Sequence, residues 1–521
     1  MKKLVLLTCL CVIACNSYQK TTTSENATKT SQKESDPIVY ASSITEDELK
    51  EHLFTYASDE FEGRDTGAPG QKKAVDYIRE TYKNLDIPAA KKDGDYFQKV
   101  PLEVGKVPSG SVSLNGDSFE IGKNVLTFSA AKGSYLSFVY MGYGIEEKGY
   151  SDYTDMNVEG KIVLIRSGEP KNPGGTYKIS GTEEPSVWSN MSESLNKKTE
   201  LATKKGAKGI LYYDPENFSR YKGFYDYMQN NNSSRMALKE DDSDNFMLLL
   251  NTTAARALHR YIDEDITPKV MKAGINLEVN DENTQIDSEN VVAIIQGSEK
   301  PNEYVVISSH LDHIGVTADG QINNGADDDG SGTVAMLEIA EAFKKAETAG
   351  DGPKRSIVFL HVTGEEKGLL GSRYYTDFEP IFPLSQTVAN LNIDMIGRTD
   401  PKREGDRNYI YLIGSDKLST ELHELSEAIN QKYANLELDY KYNDENDPNR
   451  FYYRSDHYNF AKNNIPIIFY FNGTHADYHK PTDTPDKINY DLLQNRAKLI
   501  FHTAWELANR DAKVIVDKAS K

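Results

Sequence analysis

The chain has 521 residues, 38% of them hydrophobic and 27% charged, a length and balance that fit a globular protein of two or more domains with a large interior. Asp and Glu number 80 against 60 Lys and Arg, a formal charge of −20. That surplus excludes nucleic acid as the main partner, because affinity for a phosphate backbone comes from Lys and Arg.

At the start, Lys2 and Lys3 precede an apolar run from Leu4 to Ile13 that is too short to span a bilayer. Ala14 and Cys15 follow at once, so residues 1–14 read as a processing signal. The segment resembles a bacterial lipoprotein signal with the lipobox "VIAC", and the alternative is an ordinary secretory signal. The resemblance implies lipidation of Cys15, a lipid anchor to the membrane and a place in the cell envelope. Asn16 after the cysteine favours the outer membrane, with the catalytic domain periplasmic or surface-exposed. All three cysteines, Cys9, Cys11 and Cys15, lie here, so no intramolecular disulfide is expected beyond it. Residues 15–40, rich in Ser, Thr and Lys, read as a flexible tether.

Two amphipathic helices are expected next, over residues 44–58 and 70–85; in the second, Ala74, Val75, Ile78, Tyr82 and Leu85 recur at helical spacing. From 107 to 285 the texture changes to short apolar runs between Gly, Asn and Asp turns, a β-rich insertion. Through "NVEGKIVLIRSG" and "ATKKGAKGILYY" it is similar to a protease-associated domain; a β-rich insert of no particular family is the alternative. Residues 41–106 and 286–521 then form the second unit. There, apolar runs such as "YVVISSHL", "SIVFLHVT", "VANLNIDMI" and "IPIIFYF" alternate with helical stretches. Strands this apolar are buried on both faces, which predicts a three-layer α/β/α sandwich with a mostly parallel central sheet.

In such a sheet, ligands sit beyond the carboxyl ends of the strands. Polar residues found there are His310 and Asp312, Glu365 and Glu366, Asp394, and then His475, Asp477 and His479. The run "NGADDDGSGT" adds Asp327, Asp328 and Asp329. Each has a structural explanation when taken singly, since acids before a helix are favoured by its dipole. Their concurrence at one end of one sheet points instead to a cation site, and imidazole with carboxylate suits Zn²⁺. A calcium loop is excluded: aligning Gly330 with the loop glycine puts Gly325 and Met336 where side-chain oxygens are required. HExxH and GxSxG are both absent.

The motifs "HLDH", "NNGADDDGSGT", "TGEEKGLLGS", "NIDMIGR" and "DYHKPTDTPD" together resemble peptidase family M28, with "DEFEGRDTGAPGQKKAVDYI" resembling its N-terminal segment. The resemblance covers about residues 44–510, interrupted by the insert. It implies two zinc ions per chain, one held by His310 and Asp394, the other by Glu366 and His479, with Asp327 bridging. It implies Glu365 as general base and acid and Asp312 as the partner of His310. Residues i and i+2 of a strand share a face, which independently lets Asp312 lie beside the His310 ring. Asp328 and Asp329 are expected to shape the turn and cap the helix starting near Ser331. "RFYYRSDHYNFAKNNIP" resembles the segment lining the substrate pocket and makes Arg454, Ser455, Asp456 and His457 candidate substrate contacts, with helix capping as the alternative for Ser455 and Asp456. The expected activity is removal of N-terminal residues from peptide substrates. Carboxypeptidase or glutaminyl-cyclase-like use of the same site, and a non-catalytic binding protein on this scaffold, are the alternatives.

Overall fold

The computed structural model describes residues 36–230, 235–239 and 245–518. The signal segment, Cys15 and most of the expected tether lie outside the described residues. The last tether residues do not: Pro37–Ala41 is a short helix whose Tyr40 stacks on Trp505, ring centroids 5.7 Å apart, and donates to Asp351 at 2.6 Å. Among the described residues no helix is long and apolar enough to cross a membrane.

The expected helices form where the apolar spacing puts them. Glu46–Tyr56 starts at Thr45, whose hydroxyl caps the helix by accepting the Glu48 N–H and also donates to the Glu48 carboxylate. Pro69–Asn84 opens with proline, whose missing N–H costs nothing in a first turn, and buries Ala74, Val75, Ile78 and Tyr82.

The larger sheet has nine strands, in the order Arg235–Leu238, Phe97–Gly105, Asn283–Ile295, Arg355–Val362, Lys300–His310, Thr387–Ile393, Ile467–Phe471, Tyr409–Ile413 and Glu437–Asp439. The four strands from Arg355–Val362 to Ile467–Phe471 are mutually parallel. Outside them the pairing is antiparallel, except for the last pair. The sheet is therefore mixed, which corrects the expectation of a mostly parallel one. Continuous apolar runs report burial on both faces and carry no information about strand direction.

Both faces are covered. Alternate residues of one strand go to opposite cores: Val305 and Ile307 pack with the helices Glu46–Tyr56, Gly332–Thr348 and Tyr490–Asn509, while Tyr304 and Val306 pack with Tyr375 and Phe460. The result is three layers.

The inserted segment forms a second, eight-stranded sheet between Ser109 and Asn280, with apolar clusters around Leu164 and Leu248 and around Val163 and Tyr212. Its border with the larger sheet is not a clean cut at 107 and 285. Arg235–Leu238 leaves the insert to pair with Phe97–Gly105, and Asn283–Ile295 runs straight across the expected boundary.

Candidate metal centre

Because the central strands are parallel, their carboxyl ends share one edge, and the chain places its imidazoles and acids there. His310 ends its strand, Asp394 follows Thr387–Ile393 directly, and Glu365 and Glu366 follow Arg355–Val362 across a short turn. His479 arrives on the loop after Ile467–Phe471, in a left-handed backbone conformation (φ 56°), as is Met395 beside Asp394 (φ 62°). Both belong to the few non-glycine residues held in that region, a pattern common where a site fixes side-chain direction.

Asp328 stands in the middle. Its Oδ1 lies 3.2 Å from His310 Nε2 and its Oδ2 lies 3.0 Å from His479 Nε2. Asp394 Oδ1 is 3.7 Å from His310 Nε2, and Glu366 Oε2 is 3.2 Å from His479 Nε2. Two donor groups therefore share Asp328: one with His310 and Asp394, the other with Glu366 and His313.

This corrects the choice of Asp327 as the bridge. The Asp327 carboxylate turns to the other side, where Oδ1 accepts from Gly397 N at 2.6 Å and Ser331 Oγ at 3.0 Å, and Oδ2 accepts from Asn472 Nδ2 at 3.0 Å. His475, another strand-end candidate, faces Asp327 as well, at 3.2 Å. Asp477 pairs with Arg398 and Lys487. Asp329 accepts the N–H of Gly332, in the first turn of Gly332–Thr348, and the N–H of Met395, both at 3.0 Å. Three adjacent acids thus have three directions.

The electrostatics call for positive charge. Burial opposes a charged His310 ring, yet Glu365, Asp328 and Asp394 hold its pKa well above the ordinary imidazole value. Burial likewise opposes charge on His479, but Asp328 and Glu366 lift it to about 10. Burial and the Asp328 charge would raise Glu366, and the His313 and His479 rings outweigh them and bring it to about 2. Asp328, despite burial, is held well below the usual carboxylate range by His313, His310 and His479. A cation here would take over the work of those imidazole protons. His310 Nε2, both His313 nitrogens, Asp328 Oδ2 and Glu366 Oε1 are buried without a hydrogen-bond partner. Such orphans typically cost ~1–3 kcal/mol each unless something binds them. The donor set fits Zn²⁺.

Asp312 serves two neighbours. His310 Nδ1 meets the Asp312 backbone carbonyl at 3.0 Å, closer than its carboxylate at 3.8 Å. The carboxylate instead accepts the Glu365 N–H at 3.2 Å and the Thr66 hydroxyl at 2.7 Å. Burial raises the pKa of Glu365, opposed by His310 and helped by Glu366, Asp394 and Asp456. Arg64, fully buried, binds the backbone carbonyls of Leu311 at 3.3 Å, Asn324 at 2.5 Å and Gly325 at 2.9 Å, and so ties the "HLDH" loop to the aspartate turn. Neither Arg64 nor Thr66 ends a strand, so the strand-end rule passed over both.

A cleft opens beside the centre. Asp328, Glu365 and Asp394 line one side, and Met395, Phe451, Phe469, Phe471 and Tyr478 form an apolar wall with Arg454 at its edge. Of the four candidate substrate contacts only Arg454 lines the cleft. Ser455, Asp456 and His457 are buried behind it: Ser455 accepts from Asn392, Asp456 accepts from Ser372, and the His457 ring stacks on Phe469 and meets the Tyr452 carbonyl at 2.8 Å. The short helix that follows, His457–Ala461, buries Phe460 and Ala461, and Ser455, Asp456 and His457 are absent from the cleft lining.

A leupeptin-inactivating enzyme of Streptomyces exfoliatus is 33% identical over 240 residues, 42% of this chain and 48% of that protein. A probable glutamate carboxypeptidase of Arabidopsis thaliana is 33% identical over 133 residues, 25% of this chain and 18% of that protein. The chain spans less than half the length of either relative. Among solved structures, a zinc aminopeptidase from Bacillus subtilis aligns with 91% of this chain and 99% of its own, at 19% identity and a TM-score of 0.45. Residues 290–504, the segment that carries His310, Glu365, Glu366, Asp394 and His479, match Peptidase family M28.

Proposed function

We propose that the chain is a metallopeptidase of the aminopeptidase type, with two zinc ions and with Glu365 as general base and acid. The observation that carries this reading is the Asp328 carboxylate, one oxygen 3.2 Å from His310 and the other 3.0 Å from His479, with Asp394 and Glu366 completing the two groups. The match to peptidase family M28 over residues 290–504 supports it.

Zinc bound by these residues supplies Lewis acidity to a peptide carbonyl and makes water a nucleophile near neutral pH. The protein's own groups do the rest. Glu365, on the cleft wall, takes the water proton and passes it to the leaving amine. Asp312 holds the Glu365 backbone and the His310 ring in place together. The acidic side of the cleft suits the ammonium group of a peptide N-terminus. The wall of Met395, Phe451, Phe469, Phe471 and Tyr478 suits an apolar side chain.

The proposal extends to the flanking parts. Cys15 carries a lipid that anchors the chain to the bacterial cell envelope, and the insert is a protease-associated module. Glu193 of the insert pairs with Arg450 at 3.2 Å, next to the cleft residue Phe451, which supports a role for the insert at the rim.

The test is metal analysis of the purified chain together with hydrolysis of aminoacyl-anilides and peptides carrying free or acetylated N-termini. Two zinc ions per chain, activity lost to a chelator and restored by zinc, and rejection of acetylated substrates are expected. Protein without metal, or equal turnover of acetylated peptides, would overturn the reading.

A further inference from the structure

His313 is a buried imidazole at this edge that the strand-end pattern did not single out. It lies three residues beyond His310, past the end of the strand, and is fully buried. Its Nδ1 is 2.9 Å from Glu366 Oε1 and 3.7 Å from Asp328 Oδ2, and its ring meets the His479 ring edge-on at 5.7 Å.

Two other buried histidines, His361 and His457, are engaged by neutral groups, and buried His259 pairs with the Asp265 carboxylate at 3.0 Å. His361 has Tyr82 and Ser309, and His457 has the Tyr452 carbonyl. His313 has no hydrogen-bond partner at either nitrogen, and the facing oxygens Glu366 Oε1 and Asp328 Oδ2 have none either. The close approach of ring and carboxylates therefore lacks hydrogen-bond geometry.

The surroundings are shaped to hold the ring there. A Cβ at Gly325 would fall 2.6 Å from His313 Cδ2 and 2.7 Å from Cγ, so the glycine before the aspartate turn leaves the space the imidazole fills. The His313 N–H is fixed on the Arg64 carbonyl at 3.2 Å.

We propose that His313 is a metal ligand, so that one ion of the pair is held by four side chains, His313, Asp328, Glu366 and His479, and the other by three, His310, Asp328 and Asp394. This rests on the two-metal reading above. Donors around a tetrahedral Zn²⁺ with bonds of ~2.0–2.1 Å stand about 3.3 Å apart. His313 and His479 stand 3.7 and 3.0 Å from Asp328 Oδ2, and 2.9 and 3.2 Å from Glu366 Oε1 and Oε2 respectively, distances that bracket that value. Four protein donors make a closed site of the structural kind, and three leave a position for water or substrate. The group of His310, Asp328 and Asp394, two of which line the cleft, would then be the one left open to water or substrate.

The test uses the full chain stripped of metal and titrated with Co²⁺, followed by calorimetry and visible absorption. The unsubstituted chain should bind two ions in two steps, the first giving the intense band of four-coordinate cobalt. H313S and H313N should still bind both, with the first step weakened by at least about tenfold, since even outer partners of ligands cost that much, and with a weaker band. X-ray absorption of the zinc-loaded unsubstituted chain should count three imidazoles shared by two ions and needs no variant to fold. Variants that titrate like the unsubstituted chain, variants changed only in turnover, or a count of two imidazoles would overturn the assignment of His313 and leave the two-metal reading standing. An unsubstituted chain that binds no cobalt would overturn both.

Discussion

The carboxylate of Asp312 accepts the backbone N–H of Glu365 at 3.2 Å, while its backbone carbonyl meets His310 Nδ1 at 3.0 Å. One residue therefore positions the His310 ring, at the end of one strand, and the proposed base, in the turn after another. Asp312→Ala removes the amide contact, and kcat should fall on the order of 10- to 100-fold. Asp312→Asn keeps an oxygen for the Glu365 N–H and should recover most of that loss. Steady-state kinetics on both variants check this, and equal loss in the two would assign the effect to charge instead.

Glu365→Gln keeps shape and removes the basic oxygen. Zinc content should remain at the unsubstituted level while turnover drops by ~10²- to 10⁴-fold, the usual contribution of a positioned proton carrier. Metal analysis and initial rates on one preparation decide it; near-normal turnover rules out Glu365 as the base.

Asp328 and Asp327 make an internal control. Asp328→Asn removes a carboxylate that faces both imidazole groups, and zinc affinity should fall on the order of 10²-fold. Asp327→Asn disturbs contacts with Gly397, Ser331 and Asn472, so it should lower stability by ~1–3 kcal/mol with a much smaller change in zinc affinity. Competitive zinc titration and urea unfolding separate the two, and equal zinc losses would contradict the geometry.

Burial holds the His361 ring neutral, with its pKa lowered to about 3. In the unfolded chain the ring titrates at roughly 6.5. Below that value the unfolded state takes up a proton that the folded state refuses. Stability therefore falls as pH drops from about 6.5 towards 3, by up to ~1.4 kcal/mol per pH unit from this ring. His361→Asn should flatten the slope in urea unfolding of the metal-free chain between about pH 7 and about pH 4.5. An unchanged slope would mean that the ring is charged in the folded chain.

Reading polar residues off strand ends found His310, Asp312, Glu365, Glu366 and Asp394, because parallel strands of a covered sheet must bring those positions to one edge. The same logic could not choose among Asp327, Asp328 and Asp329. Within that turn the backbone follows no period: Gly325 is left-handed (φ 56°), and Asp328 (φ −102°, ψ 101°) and Asp329 (φ −110°, ψ 44°) leave the helical region. Side-chain direction there is set by Asp483, which accepts the N–H groups of Asp327 and Asp328, and by Arg64 on the opposite side. Those partners lie more than 150 residues away in the chain. His313 escaped for a similar reason: past the strand end, alternation no longer says which way a ring points. The extent of antiparallel pairing was equally out of reach, since Arg235–Leu238 joins the larger sheet from inside a segment whose texture is that of the smaller one.

Arg64 and Thr66 lie more than 200 residues ahead of the segment that matches the peptidase family, yet one clamps its two metal-facing loops and the other its Asp312 carboxylate. Residues 290–504 therefore depend on contacts from outside their own span to hold these loops. A fragment cut to that span would keep every proposed zinc ligand and lose the keystone that sets them at the right spacing.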